Sequence, residues 1–473
     1  MQRRHNLSGY KSLIRSIEGL TEIMTLTVIY YFMFRNGYDA QLFPDYSRYG
    51  KYVLCGIYAL LVMVLFYAMD GYKFGYLRSG DVFASQVIAL FLSNFITYWQ
   101  LCLIANGVIS AVPMVILMAC GVVVALVCTL LYSAVYHRMY VPRDMVMILG
   151  RDESVALKFK METRPDKYRV VKLISVDEGL QSICQQIINY DAVILNDVHA
   201  QIRNDILKFC YRNKIRTYLT PKVTDIVVRG AESINLFDTP LLLVRGTGLT
   251  SVQALVKRCM DLLLCLIAMI PAAPIMLLVA LAIKIEDGGP VFYKQERMSL
   301  DGKVFNILKF RSMIVDAEKE GHSIPATGHD PRITKVGRFT RAVRIDELPQ
   351  LLNILKGDMS VVGPRPERVE HMIKYSAEVP EFDLRTKVKG GLTGYAQIYG
   401  KYNTSPYDKL RLDMMYIENY SLLLDIKLIL MTLRIMLSKE STEGFEQTEI
   451  LEQQSREVLR QMKEEAEGAA AEK

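Results

Sequence analysis

The chain has 473 residues, of which 51% are hydrophobic, and a formal net charge of +7. It is long enough for two or three domains but too apolar for an ordinary soluble enzyme of that size, so a membrane protein is the first expectation. Residues 440–473 carry ten Glu against four Lys or Arg, which leaves +13 on the rest. That body suits anionic headgroups and phosphate-bearing ligands and does not call for nucleic acid, and the acidic tail has too few large apolar residues to fold alone.

Taken in chain order, residues 52–69, 83–105 and 111–135 contain no charge and run 18, 23 and 25 residues. Each is near or above the ~20 residues that cross a ~30 Å hydrocarbon layer. A fourth span is expected from near Ile17 through "LTEIMTLTVIYYFMF" (20–34), whose Tyr30, Tyr31 and Phe34 suit an interfacial belt despite Glu22. The basic "MQRRHNLSGYKSLIR" precedes no small-residue cleavage site, so the N-terminus is expected inside, and His137, Arg138 and Arg143 after the fourth span agree. The eight cysteines form no CxxC pair and read as small hydrophobes.

Between 145 and 245 the pattern changes to "MVMILG", "RVVKLISV", "DAVILND" and "IRTYLT" with amphipathic segments between them. This predicts a small Rossmann-like α/β domain with a parallel sheet. Its first turn, "LGRDES", has one glycine and does not match a dinucleotide fingerprint.

The next segment has 22 uncharged residues between Asp261 and Lys284, but Pro271 and Pro274 interrupt it and cations flank both ends. It reads as a re-entrant helix broken at Pro274, entering and leaving by the cytoplasmic face. Beyond 291 the chain turns basic and rich in Gly and Pro. It ends in "SLLLDIKLILMTLRIML" (421–437), which fits an interfacial helix, with a core helix as the alternative. The expected domains are therefore 1–138 (four-span membrane bundle), 139–248 (Rossmann-like), 249–440 (re-entrant helix and catalytic α/β domain) and 441–473 (acidic tail).

The stretch "RIDELPQLLNILKGDMSVVGPRP" (344–366) sets Asp346 and Glu347 among Arg338, Arg341, Arg344 and Arg365. Asp346 is expected as N-cap of a helix through "ELPQLLNIL". A carboxylate there, beside guanidinium groups, would stay ionised, as a nucleophile or a magnesium ligand requires. A mere helix cap is the competing reading. Arginines suit bidentate recognition of phosphate, so the cluster points to phosphoryl transfer.

The motifs "FYKQER", "KVFNILKFRSM", "ITKVGRFTRAVRIDELPQLLNILKGDMSVVGPRPE", "GLTGYAQI" and "KLRLDMMYIENYSLLLDIKLILMT" resemble, over about residues 255–438, the bacterial sugar transferases known as monotopic phosphoglycosyl transferases. The four spans and α/β domain resemble the long-form members. The resemblance implies transfer of hexose 1-phosphate from a UDP-sugar to undecaprenyl phosphate with magnesium, at the cytoplasmic face of the inner membrane, initiating exopolysaccharide or capsule synthesis.

It also implies Asp346 as nucleophile and metal ligand, with Glu347 beside it, and Lys309, Arg311, Arg341, Arg344, Arg365 and Gln397 as phosphate- or substrate-binding residues. It leaves room for a homo-oligomer and polysaccharide assembly partners, and does not choose the sugar. Three departures stand out: Ala273-Pro274 replaces Ser-Pro, "MSLDGK" lacks a second glycine, and "YGKYNTSPYDK" replaces a Gly-Arg-Asn pattern. Two other functions compete: a membrane-anchored nucleotide-sugar dehydratase, which would need a Gly-rich turn and a Tyr-x-x-x-Lys pair that the α/β domain lacks, and a non-catalytic assembly scaffold.

Overall fold

The computed structural model describes residues 11–39, 42, 49–150, 155–315, 330–400, 404–437 and 460. The acidic tail and residues 151–154 and 401–403 lie outside that set, apart from Arg460. Two compact units are present, the first built mainly from residues up to Thr220 and the second from Pro221–Thr432. The domain boundaries expected from sequence divide the chain more finely.

The first unit starts with four helices, α1 (Lys11–Gly37), α2 (Gly50–Ala68), α3 (Ser79–Ile104) and α4 (Val112–Met139). Each is long and apolar enough to cross a membrane. The chain is a membrane protein. Helix α1 begins earlier than the expected Ile17, and it turns Glu22 inward, fully buried, where Gln86 Nε2 donates to Glu22 at 3.0 Å and Thr129 donates to Gln86 at 3.1 Å. Polar groups inside an apolar helix cluster persist when they satisfy one another. Tyr30 stacks on Tyr58 with ring centroids 4.3 Å apart, and the Tyr58 hydroxyl donates to Asn94 at 3.1 Å.

Next come β1 (Arg143–Leu149), α5 (Ala156–Glu162), β2 (Tyr168–Ser175), α6 (Leu180–Ile187), β3 (Ala192–Asn196), α7 (Ala200–Arg212) and β4 (Arg216–Leu219). The strands form one parallel sheet in the order β2-β1-β3-β4. Strand side chains alternate between faces, so Val146, Ile148, Val193 and Leu195 join one core with Ile183 and Ile206, while Met145, Met147 and Ile194 join another with Leu157 and Phe159. The glycine of the first turn, Gly150, is needed for packing: a Cβ there would lie 2.2 Å from the Asp197 carbonyl oxygen.

In the second unit, α8 (Val223–Arg229) and the antiparallel hairpin of β5 (Glu232–Leu236) and β6 (Thr239–Leu243) precede the long α9 (Ser251–Asp287). The hairpin of β7 (Phe292–Met298) and β8 (Val304–Phe310) follows, then α10 (Lys335–Ala342), α11 (Gln350–Lys356), β9 (Ser360–Val362), α12 (Val369–Glu378), β10 (Gly391–Thr393), α13 (Tyr395–Tyr399), α14 (Pro406–Glu418) and α15 (Leu422–Leu437). Strand β9 pairs in parallel with β10.

Helix α9 corrects one expectation, because it runs as one helix through Pro271 and Pro274 and is not broken at Pro274. The two prolines remove two backbone donors, yet side-chain packing spans the gap. Cys265, Met269 and Ala272 pack with Ile307, Leu351 and Ile354, and Met276, Val279 and Ile283 pack with Phe310, Val336 and Leu348. The 3–4-residue spacing makes one stripe along the helix. Leu263, Ile270, Leu277 and Leu281 on the remaining surface are exposed.

Polar bonds hold both flanks of the apolar stretch to the same unit. At the first flank, buried Lys257 pairs with Asp425 at 2.6 Å, and Arg258 donates to the Ile354 and Leu355 carbonyls that end α11. At the second, Glu286 accepts from the backbone N–H groups of Lys335 and Val336, which begin α10. Helix α15 is part core: Asp425, Leu428 and Met431 are buried, while Leu423 and Met436 are exposed.

Removing one partner of a buried ion pair leaves the other charge stranded, at a cost of roughly 3–5 kcal/mol. Asp425→Ala is expected to lower the thermal midpoint of the detergent-solubilised protein sharply. Lys257→Met combined with Asp425→Leu should recover most of the loss, as read by the same thermal scan.

Candidate active site

The carboxylate pair is presented by a turn of irregular backbone. Arg344 adopts a left-handed conformation (φ 55°), a 3-10 turn follows over Ile345–Glu347, and α11 starts only after Pro349, which occupies its N-cap. Asp346 therefore does not cap a helix, contrary to the expectation, and the reversal at Arg344 is the local cause.

The two acids have different surroundings. Glu347 Oε1 accepts from Arg365 at 2.6 Å and from Lys309 Nζ at 3.2 Å. Burial pushes the Glu347 carboxyl up, but the charges of Arg365 and Lys309 and their hydrogen bonds outweigh it and hold the group down at about 2. Asp346 has no ion-pair partner among the described residues. Burial raises it above its ordinary value, the charge of Glu347 adds to the rise, and Lys309 and Arg341 pull the other way. The expected cause is thus corrected: Asp346 does not sit at a helix N-cap, and Glu347 takes up the nearest cations.

Three connections fix this geometry. Asn353 on α11 accepts from Leu308 N–H at 2.9 Å and donates to the Asn306 carbonyl at 2.8 Å, which sets β8, and so Lys309, against the dyad. The loop carrying Arg365 is strapped by Arg297, which donates to the Pro366 carbonyl at 3.0 Å, and by Arg385, which donates to the Arg365 carbonyl at 2.9 Å. Arg385 is itself held by buried Asp413 at 2.8 Å. Glu367, which Lys409 and Arg385 surround, is likewise held at about 2: burial raises it and those cations overcome the rise. Sequence reasoning missed Arg297, Glu367, Arg385, Lys409 and Asp413. Arg297 and Glu367 close the quoted "FYKQER" and "GPRPE", but nothing in their spacing pairs them with positions 385, 409 and 413.

The other expected site residues divide. Arg341 is half-buried at the end of α10, close enough for its charge to act on Asp346, and Arg344 is exposed. Arg311 is turned away: it is buried and paired with Asp287 at the end of α9, beside Gly289, where a Cβ would lie 2.1 Å from the guanidinium. Gln397 donates to the Leu392 carbonyl at 3.0 Å, and no hydrogen bond joins it to the dyad. Among the described residues no group of three or more His, Cys, Asp or Glu is arranged to cage a metal.

A profile of the family described as "Bacterial sugar transferase" matches residues 252–439, the span that holds α9, the dyad and the strapped loop. A Caulobacter vibrioides protein named UDP-glucose:undecaprenyl-phosphate glucose-1-phosphate transferase is 42% identical over 191 residues, covering 39% of this chain and 71% of that protein. The chain belongs to the bacterial sugar transferase family. Two further relatives match this sugar transferase. A Klebsiella pneumoniae protein with the same name as the Caulobacter one is 36% identical over 247 residues, 51% of each chain. An Aeromonas hydrophila protein named UDP-N-acetylgalactosamine-undecaprenyl-phosphate N-acetylgalactosaminephosphotransferase is 35% identical over 263 residues, 53% of this chain and 60% of its own. The chain thus spans about half the length of the Klebsiella relative.

Glu347 and Glu367 have folded-state values below the ordinary 4.5, so their stabilising contribution is full above about 4.5 and is lost as pH falls through about 2. Unfolding midpoints of the detergent-solubilised sugar transferase are expected to fall across that window. Glu347→Gln should flatten its share of the fall, measured by the same acid titration.

Proposed function

We propose that this sugar transferase moves a hexose 1-phosphate from a UDP-sugar to undecaprenyl phosphate, releasing UMP, as the initiating membrane step of exopolysaccharide or capsule synthesis. The observation that carries the reading is the split dyad: Glu347 is bound by Lys309 and Arg365, while its neighbour Asp346 has no ion-pair partner among the described residues. A carboxylate with a raised pKa and no salt-bridge partner is the better nucleophile of the two. The names of the relatives agree on the type of transfer and differ in the sugar, glucose or an N-acetylated galactose. The sugar stays open.

In the first displacement, an oxygen of Asp346 attacks the donor phosphorus that bears the sugar. The bond from that phosphorus to UMP breaks, and its electron pair leaves on the UMP oxygen. In the second, an oxygen of the lipid phosphate attacks the same phosphorus and Asp346 leaves as carboxylate, giving a diphosphate-linked lipid sugar. The side chain of Arg365 is one-third exposed and, with Lys309 and Arg341, supplies positive charge where phosphate oxygens gather. Arg297 and Arg385 act through Arg365 by holding its loop.

Magnesium suits oxygen ligands and is usually held by one or two carboxylates with substrate phosphates. Asp346 fits as that carboxylate. The ion would neutralise diphosphate charge.

For the membrane, we read α1–α4 as a transmembrane four-helix bundle and the parallel sheet as Rossmann-like, a structural or regulatory module. Helix α9 is read as half-embedded and not as crossing the bilayer: both its flanks bond to one unit that also packs along its length, so its ends share a face. That face is the cytoplasmic side of the inner membrane, where nucleotide sugars are found.

The test is incubation of membranes with labelled UDP-sugars and undecaprenyl phosphate. Organic-extractable label with UMP is expected, and UDP-sugar alone should release UMP to about one equivalent per enzyme. Asp346→Asn should remove both while leaving a membrane-bound, folded protein. Turnover of that variant near the parent rate would overturn the covalent route.

A further inference from the structure

The first unit holds a cavity of about 340 Å³, walled by residues 74–82, which run from a loop into α3, by the last turns of α4 and by the turn between α5 and β2. That size falls within the ~300–1,000 Å³ of ordinary ligand sites. The three walls are tied together. The Ser79 and Ser133 hydroxyls share a hydrogen bond of 2.8 Å that joins α3 to α4, and Arg164 Nη1 donates to the Tyr76 carbonyl at 3.2 Å, joining the α/β domain to the loop. Gly75 has φ 70°, and a Cβ there would lie 2.1 Å from the Tyr136 ring, so the loop lies directly against α4.

The polar lining is mostly cationic. Two guanidinium groups, Arg78 and Arg164, and His137 face one carboxylate, Asp166. Asp166 accepts from Arg164 Nε at 2.9 Å and from Nη2 at 2.8 Å. With the bond to Tyr76, these contacts use about three of the five N–H groups of a guanidinium, which fixes its plane and leaves two for a ligand. His137 Nδ1 donates to the Ser133 carbonyl at 2.6 Å, and its Nε2 lies 3.9 Å from Asp166. Just outside, Arg15 and Lys167 lie 5.0 and 4.6 Å from the centroid of the Tyr76 ring and add two more positive charges. An oriented guanidinium amid further cations suits a phosphate oxygen.

Phe74, Leu77, Val82 and Tyr136 supply an apolar wall. Phe74 packs on Tyr132 and Tyr136 on Tyr140, with ring centroids 5.8 and 4.9 Å apart, an aromatic collar of the kind found at headgroup depth. Helix α3 starts here and α4 ends here. With α1–α4 read as transmembrane, the cavity opens where lipid phosphates lie, and basic pockets between membrane helices recognise acidic headgroups. A soluble phosphate would leave the apolar wall unused.

We propose that this cavity seats the phosphate of an anionic phospholipid, in a different unit from the carboxylate dyad, and that the lipid fastens the α/β domain to the end of the helix bundle. The α5–β2 turn supplies Arg164 while α3 supplies Arg78, so one phosphate contacts both parts.

The test uses the full chain, delipidated in a nonionic detergent, with a phosphatidylglycerol carrying a diazirine beside its phosphate. Cross-links are expected in peptides containing Arg78 or Arg164. They should be competed by unlabelled phosphatidylglycerol and not by phosphatidylcholine with the same acyl chains, by millimolar inorganic phosphate or by UMP. Equal competition by phosphatidylcholine would mean general lipid contact, and competition by inorganic phosphate or UMP would mean a site for soluble phosphates. Either result overturns the proposal, as does labelling confined to other peptides. Arg78→Ala should raise the half-competing concentration about fivefold, the worth of one basic residue beside an anionic headgroup. Arg164→Gln should raise it at least as much, with Arg164→Lys falling between that variant and the parent. Phosphatidylglycerol should also raise the thermal midpoint of the parent, and raise it less in Arg78→Ala. Arg78 is exposed, so its variant decides the matter if Arg164→Gln does not fold: parent affinity in folded Arg78→Ala would contradict the proposal. The readout needs neither turnover nor the dyad, so it stands or falls apart from the transfer reaction.

Discussion

Glu347 Oε1 receives both Arg365 and Lys309, and much of the second unit serves to make that three-way contact possible. One negative charge against two cations leaves an excess positive charge beside Asp346, in a half-buried setting where charges interact more strongly than in water. The partners lie 18 and 38 positions from Glu347, on different elements, so the contact needs the fold. Asn353 sets the strand bearing Lys309, while Arg297 and Arg385 set the loop bearing Arg365. Each support is a polar group satisfied by backbone or by an opposite charge, the condition under which buried polar networks rigidify a site.

The same logic joins the site to helix α9. Along α9 the inward stripe runs from Cys265 to Ile283, and the last part of that stripe shares a packed cluster with Ile345 and Leu348. A shift of α9 would therefore move the residues that bracket the dyad. Lys257, Arg258 and Glu286 fix the register of the helix at its two flanks. The cations before the apolar stretch, readable in sequence as surface charge, are in fact tied up inside: Lys257 is 4% exposed.

Much of the fold was legible because its signals are local. Three uncharged runs of membrane-spanning length, a fourth apolar run despite Glu22, and four short apolar runs made four helices and a parallel sheet readable, since length and alternation act within each segment. The dyad and its ring of arginines were also visible. The inequality of the two acids was not, because neighbours in sequence receive their partners from distant positions. Arg311 and Gln397 looked like site residues by motif, but Asp287 and the Leu392 carbonyl hold them. Helix α9 looked broken because proline acts locally, whereas the packing that carries it through Pro271 and Pro274 is tertiary.

In the proposed reaction, clamping Glu347 leaves Asp346 as the reacting carboxylate. Intact-mass and peptide-level mass spectrometry of the full chain, quenched in acid after brief exposure to UDP-sugar without lipid, tests it most directly. The prediction is one phosphosugar adduct, mapped to Asp346 and lost on adding undecaprenyl phosphate. An adduct on Glu347, or transfer to lipid with no adduct at any time, would contradict it.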